Sequence, residues 1–296
     1  MSYVIEKCTL CPRQCSARRD EQSGSGFCGA ESLPRVCRIA PHMWEEPCIS
    51  GTRGSGTIFF SGCTLRCVFC QNYEISRNIT GKQMNPSSLA DAFRRLEESG
   101  VHNINLVSPT PYIDSIIEAF SLYRPSIPVV YNTGGYERAE TIRRLDGIVD
   151  IYLPDMKYIR SELSGKYSKA GDYFEYADAA LHEMVRQTGK PVFNDDGMML
   201  RGTIVRHLIL PQNTRNSIDV LNYLSENFGD RILVSLMGQY TPVANAADYP
   251  EINRRITARE YDKLLSHLEQ LELDGFAQQL GSAKEEYIPD FDLERD

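Results

Sequence analysis

Between residue 55 and about residue 240, two kinds of apolar pattern alternate along the chain. Residues 57–60, 103–107, 128–131, 148–153, 203–210 and 231–236 are short runs rich in β-branched and aliphatic side chains. Runs so short and continuous predict strands buried on both faces. Between them, apolar residues recur at helical spacing. Leu89, Ala92, Phe93 and Leu96 share one face of a helix predicted to open at Ser88, with Asp91 three residues on, and to close at Gly100. Ile113, Ile116, Ile117 and Phe120 repeat the pattern after Pro111, and further helices are expected over 137–145, 173–187 and 217–228. Six β–α units imply a parallel sheet covered by helices. A closed eight-stranded barrel needs more units, so the expectation is an α/β fold built on a partial (β/α)6 barrel. Its chemistry should sit at the carboxyl ends of the strands.

The flanks differ. Residues 1–54 show little periodicity and are read as a cysteine-rich N-terminal segment, 55–244 as the barrel, and 245–296 as a C-terminal helical extension. In that extension an irregular stretch around Pro250 precedes a helix opened by Thr257-x-x-Glu260, with Tyr261, Leu264, Leu265, Leu268 and Leu271 on one side. The last dozen residues are acidic and expected to pack loosely.

Cysteine placement turns this architecture into chemistry. Cys63, Cys67 and Cys70 form C-x3-C-x2-C directly after the first apolar run. That spacing lets three thiolates hold three corners of one 4Fe–4S cubane, which a fourth cysteine would close. None follows Cys70, so one iron is left open to a non-protein ligand. A zinc knuckle is the plain alternative, but structural zinc closes with four ligands, commonly as paired C-x2-C halves. Upstream, Cys8, Cys11, Cys15 and Cys28 form C-x2-C-x3-C-x12-C among glycines. They read as a metal-binding auxiliary site for a second Fe–S cluster or a structural zinc, which spacing does not separate; four reduced cysteines in a loop are the bland reading. Cys37 is expected to be an inert buried thiol, and Cys48 is a weak site candidate.

The core motif resembles that of the radical S-adenosylmethionine superfamily, C-x3-C-x-aromatic-C, with Phe69 in the aromatic place. The resemblance implies a partial barrel, a 4Fe–4S cluster and S-adenosyl-L-methionine (SAM). It also implies reductive cleavage of SAM to a 5′-deoxyadenosyl radical that abstracts hydrogen from a substrate, with an electron donor such as flavodoxin or ferredoxin. On this reading Cys63, Cys67 and Cys70 are the catalytic cluster ligands. Where the superfamily often carries a Gly-Gly-Glu-like turn this chain has Ser108-Pro109-Thr110-Pro111, leaving Ser108 and Thr110 as candidates for SAM and a proline-fixed turn as the alternative. Asn132, in Asn132-Thr133-Gly134-Gly135, is a further cofactor candidate. Asp155 and Lys157 resemble the Asp-x-Lys element of glycyl-radical activating enzymes, Asp155 for the ribose hydroxyls and Lys157 for the carboxylate; a surface ion pair is the alternative.

An arginine between apolar residues is costly to bury unpaired, so Arg206 is expected to meet a carboxylate, that of methionine or of the substrate. His207 points to the opposite face and reads as a packing histidine. Gln239 and Tyr240 are expected to line the chamber or pack above it, Tyr240 also as a candidate hydrogen donor to a radical. Residues 42–51, 103–107 and 150–158 resemble uncharacterised relatives of pyruvate formate-lyase activating enzyme. Activases with extra clusters usually carry those cysteines after the core motif, whereas here the four precede it.

Bulk properties narrow the field. An apolar fraction of 42% and a charged fraction of 24% over 296 residues are ordinary for a soluble protein. A net charge of −8 gives no support for a nucleic-acid partner. No apolar run approaches a membrane span, and nine cysteines without a secretory leader argue for metal ligation in a reducing, cytoplasmic setting. Three functions stay open: an activase making a glycyl radical on a partner enzyme, a radical enzyme modifying a small molecule or protein side chain, and a non-catalytic iron–sulfur or zinc scaffold.

Overall fold

The structure, a computed structural model, describes residues 3–278; the acidic end expected to pack loosely lies outside the described residues. The strands are β1 Arg35–His42, β2 Ser55–Phe60, β3 Lys82–Gln83, β4 Ile104–Val107, β5 Val129–Thr133, β6 Ile151–Pro154, β7 Val192–Phe193, β8 Met199–Leu208, β9 Leu233–Met237 and β10 Gly275–Ala277. The helices are α1 Pro47–Ser50, α2 Tyr73–Arg77, α3 Pro86–Glu98, α4 Ile113–Leu122, α5 Ala139–Arg143, α6 Ser161–Ser168, α7 Tyr173–Thr188, α8 Thr214–Asn227 and α9 Ala258–Gln270.

Six strands pair in parallel in the order β2, β4, β5, β6, β8, β9, each beside its neighbour in the chain. This is the expected partial barrel. β10 extends it in parallel beyond β9, and β1 runs antiparallel along β2. Side chains alternate across the wall, as strand geometry requires. Tyr131 and Tyr152 face the helices and pack with Phe93, Ile116 and Met184. Val130, Ile151, Leu153, Ile204 and Leu233 form a separate inner cluster, completed by Cys48 and Ile49 of α1. The α1 turn therefore plugs the barrel from the amino ends of the strands, and residues 42–46 lie above it.

Helix α3 opens three residues earlier than expected. Asn85, not Ser88, is the cap: its side-chain oxygen accepts the Ser88 N–H at 2.8 Å, and Pro86, with no N–H to lose, takes the first helical position. The α3 face buries Leu89, Phe93 and Leu96, and Phe93 stacks on Phe120 of α4 at 4.5 Å. Each such side chain contributes about 1.5–3 kcal/mol through burial. The capping box of α9 forms as predicted, Thr257 and Glu260 each accepting the other's backbone N–H. No helix among the described residues is long and apolar enough to cross a membrane.

Candidate active site

The cysteine loop springs from β2, whose six residues are all buried. Gly62 stands at φ +85°, and a Cβ there would lie 3.1 Å from the Cys28 carbonyl oxygen, so the turn needs glycine. Arg66 also takes a left-handed conformation, φ +55°, between Cys63 and Cys67. Backbone bonds tie the loop down: Gly62 N–H to Ile75 O at 2.8 Å and Val68 N–H to Tyr167 O at 2.9 Å. Cys67 is buried, while Cys63 and Cys70 are half-buried. The Ser168 hydroxyl donates to Cys67 Sγ at 2.9 Å, a hydrogen bond that favours its thiolate, and Leu65 N–H donates to Cys63 Sγ at 3.4 Å.

Burial pushes the Cys67 thiol up against the opposing charge of Lys157, and burial with the two neighbouring thiols pushes Cys70 up to about 12. At Cys67 and Cys70 burial favours the neutral thiol, so thiolates there would need a metal to offset their charge. The donor set fits a 4Fe–4S cluster: three sulfur ligands within electrostatic reach of one another, supplied with hydrogen-bond donors and a buried cation. Among the described residues no three His, Cys, Asp or Glu side chains are gathered closely enough to hold one metal ion.

Below the loop lies a cavity of about 230 Å³. Cys67, Phe69 and Cys70 form its mouth; Asn132, Asp155, Lys157, Arg206 and Gln239 come from the carboxyl ends of β5, β6, β8 and β9. Phe69 is fixed edge-on between Tyr167 and Tyr240, at 6.4 and 6.1 Å. Lys157 is ion-paired to Asp155; burial works against its charge, but Asp155 and the Cys67 sulfur hold its pKa above the ordinary lysine range. The Asp155 and Gly134 carbonyls both accept from Tyr173 Oη, at 2.7 and 2.9 Å, which fixes the turn carrying this pair.

The floor comes from the β1–α1 connection. Arg206 does meet carboxylates, but they belong to this chain. Its Nε donates to Glu46 Oε1 at 2.8 Å, and its Nη2 reaches both Glu45 and Glu46. Glu45 also accepts from Asn105 Nδ2 at 2.9 Å and Asn132 Nδ2 at 3.4 Å. Burial alone would raise the Glu46 carboxyl, but the Arg206 charge outweighs it and holds Glu46 below its usual range. His42 and Trp44 line the same cavity. These four residues lie in the 42–51 stretch that carries the family resemblance, but no role for them was read from the sequence, because their partners lie across the fold: Arg206 is 160 residues from Glu46.

Other candidates are placed elsewhere. Ser108, at φ +58°, lines a small separate crevice with Cys63 and Gly134. Thr110 also borders it, but is buried and donates to Glu137 Oε1 at 2.5 Å. Glu137, whose carboxyl is pushed up to about 7 by burial, was not anticipated; its second oxygen has no partner. Tyr240 does not line the cavity. Its hydroxyl donates to the Ile252 carbonyl at 2.7 Å, which leaves the hydrogen-donor role without geometry. His207 is the packing histidine expected, bonded to Met156 O at 2.7 Å and Ser217 Oγ at 2.8 Å. Cys48 lies near the amino ends of the strands beside His102 and Met198, away from the mouth. Cys37 is buried, its sulfur 3.5 Å from Thr80.

The four-cysteine loop packs directly on the cluster loop. Cys8, Cys11 and Cys28 are buried and Cys15 is exposed. Arg13 donates from Nε to Thr64 O at 3.0 Å and from Nη2 to Ser168 O at 3.1 Å. The Phe27 ring carries the Arg13 guanidinium at 4.1 Å and that of Arg66 at 5.1 Å.

A parallel partial barrel with a three-cysteine loop at the carboxyl end of its first strand, above a polar cavity, defines the class, an α/β barrel protein with a cysteine-bordered cavity. The family follows from comparison: the model of the radical SAM superfamily matches residues 57–238, and the chain belongs to that superfamily. Membership implies a 4Fe–4S cluster and SAM. The chain is 30% identical over 281 residues to the uncharacterized protein MJ0674 of Methanocaldococcus jannaschii, covering 92% of this chain and 77% of that one. It is 24% identical over 263 residues to MJ0808 of the same organism, covering 83% and 71%. Among solved structures it resembles a radical SAM methyltransferase from Sphaerobacter thermophilus, with a TM-score of 0.51 and 14% identity over 75% of this chain and 65% of that one. Streptococcus suis SuiB bound to S-adenosylmethionine gives 0.50 and 17%, over 76% and 50%. The chain thus spans under two thirds of either enzyme's length, and at these identities the likeness is one of fold.

Proposed function

We propose that this protein is a radical SAM enzyme that holds a 4Fe–4S cluster on Cys63, Cys67 and Cys70 and uses the cavity beneath them for SAM and substrate. The observation that carries the reading is the convergence of Cys67, Cys70, Asn132, Asp155, Lys157, Arg206 and Gln239 on one cavity at the strand ends. When bound, the two cofactors supply one-electron cleavage of the sulfonium to a 5′-deoxyadenosyl radical that takes hydrogen from the substrate. The chain's own residues do the rest. With no cysteine beyond Cys70, the trio leaves one iron for SAM. Lys157 places a buried cation beside Cys67, and Ser168 orients that sulfur. Asp155, Asn132 and Gln239 offer polar contacts to the nucleoside and amino-acid ends, and Phe69 excludes water at the mouth. Ser108 sits beside Cys63 in a strained turn, which supports a contact at the edge of the same ligand.

The electron donor is proposed to be a flavodoxin or ferredoxin, and the four N-terminal cysteines an auxiliary metal site. The motif and the Asp155–Lys157 pair favour an activase acting on a glycyl-radical enzyme. The floor of Glu45, Glu46 and Arg206 closes the inner barrel and favours a second reading, reaction on a small molecule or a single protein side chain. The test is anaerobic incubation of reduced, iron-loaded protein with SAM, measuring 5′-deoxyadenosine. Release above the Cys67→Ala background is expected; none under strong reductant would leave a non-catalytic scaffold. Adding candidate glycyl-radical proteins and recording electron paramagnetic resonance then separates the two substrates. A glycine doublet supports the activase, and its absence with every candidate supports the second reading.

A further inference from the structure

Arg19 is among the largest fully buried side chains, 1% exposed. Its Nε donates to the Ala30 and Glu31 carbonyls at 2.9 and 3.2 Å, its Nη2 to Glu31 O, and its Nη1 to Cys8 Sγ at 3.5 Å. The face of Tyr112 lies 5.6 Å away. Carbonyls satisfy its N–H groups but not its charge, and no carboxylate among the described residues pairs with it. A buried guanidinium without an anion costs several kcal/mol. The side chain it touches is a cysteine of the four-thiol loop. A neutral thiol offers no compensating charge, whereas a metal-held thiolate does.

We propose that Arg19 is the built-in counter-charge of an iron–sulfur cluster held by Cys8, Cys11, Cys15 and Cys28. This rests on the reading of that loop as a metal site and adds the kind of metal and the residue that balances it. One zinc ion bound at about 2.3 Å by each sulfur brings neighbouring sulfurs to within about 3.8 Å of one another. Among the described residues no three His, Cys, Asp or Glu side chains are grouped to hold a single metal ion. A cluster binds its thiolates on separate irons and so needs them further apart. The loop also leaves room by deletion of side chains: a Cβ on Gly26 would sit 3.1 Å from Cys15 Sγ, and one on Gly24 would run into Ala30 O at 1.9 Å.

The experiment uses the full chain with Cys63, Cys67 and Cys70 all changed to alanine, prepared anaerobically, so that the four proposed ligands remain with Cys37 and Cys48 as the other thiols. Iron, sulfide and zinc are counted per chain and Mössbauer spectra recorded. Iron and sulfide in equal numbers, about four each for a cubane, are expected, without zinc. Arg19→Gln in that background should lose at least half of the iron, and Arg19→Lys should keep most of it. One zinc without sulfide, or no bound metal in a folded chain, overturns the cluster. Full iron retention in Arg19→Gln overturns the counter-charge role. If Arg19→Gln does not fold, Arg19→Lys decides, since iron loss there despite the retained charge contradicts the proposal. Failure of the mouth site to bind its own cluster would show separately, as unchanged iron on restoring Cys63, Cys67 and Cys70.

Discussion

Cys63, Cys67 and Cys70 follow a strand whose residues are all buried, hydrogen-bonded on one side to β1 and on the other to β4. Cys8, Cys11, Cys15 and Cys28 belong to a segment whose pairing is limited to isolated bridges, Ile5 with Arg19 and Arg19 with Gly24. The first loop takes its position from regular structure. The second is folded by short backbone turns and bridges, such as Cys8 N–H to Ala17 O at 2.9 Å and Ser16 N–H to Cys8 O at 3.1 Å, and is fastened by long polar side chains, with Arg19 inside and Arg13 sewing it to Thr64 and Ser168. Where a long ladder fixes the backbone, single side chains are free to serve chemistry; where only short bridges and turns exist, long side chains share in holding the fold. Substitutions should therefore separate function from structure at the mouth and mix them in the N-terminal loop.

The largest expected effect breaks the mouth alone. Cys67→Ala should reduce 5′-deoxyadenosine formation at least 100-fold while iron bound by the N-terminal cysteines stays, read by iron counting and product analysis. Cys11→Ala should spare the cleavage; an equal loss would mean that the two loops are one functional unit. Next comes the cavity floor. Arg206→Met leaves Glu45 and Glu46 buried side by side without their cation and should cost about 3–5 kcal/mol in denaturant unfolding. Changing Glu46 to Gln as well should recover part of that. A cost below about 1 kcal/mol would show that the floor is hydrated and open.

Acid sharpens the comparison from another side. Burial pushes His207, on β8, down to about 4, from an ordinary value near 6.5. Its folded pKa is depressed, so the stability it confers is complete above pH 6.5 and is lost as pH falls toward 4, by at most about 3 kcal/mol. The N-terminal segment contains no histidine before His42. Unfolding measured at pH 7 and pH 4.5 should show this loss, and His207→Gln should flatten it; identical slopes would remove the argument. The smallest effect belongs to Arg13→Ala, which deletes the stitches to Thr64 and Ser168 and should cost about 1–2 kcal/mol. Hydrogen exchange should quicken around residues 5–30 and stay unchanged in β4, β5 and β6.

The barrel was legible because its strands are continuous apolar runs and its helices keep a 3.6 period. The three-cysteine loop was legible because the ligands proposed for the cluster are close in sequence. β1 was not, since its inward and outward residues do not alternate cleanly. The floor was invisible for a different reason: Glu45 and Glu46 look like surface acids until the fold brings Arg206 to them from 161 and 160 residues away. The demand of a buried arginine for a carboxylate could be read from sequence; which carboxylate answers it could not. Tyr240 shows the reverse, a residue in a promising position whose hydroxyl is spent on a backbone carbonyl. Ser108 and Thr110 share a crevice, yet Thr110 is committed to Glu137 while Ser108 is held in a left-handed turn.

The central claim is that the Cys63–Cys70 loop carries a cluster with one iron free for SAM. Low-temperature electron paramagnetic resonance of the anaerobic, reduced full chain tests it, recorded with and without SAM and beside Cys67→Ala. The account predicts a four-iron component that is lost in Cys67→Ala, where the signal of the N-terminal cysteines alone remains, and whose g-values change when SAM is added. A signal that survives Cys67→Ala whole, or one that SAM leaves unchanged, would contradict it.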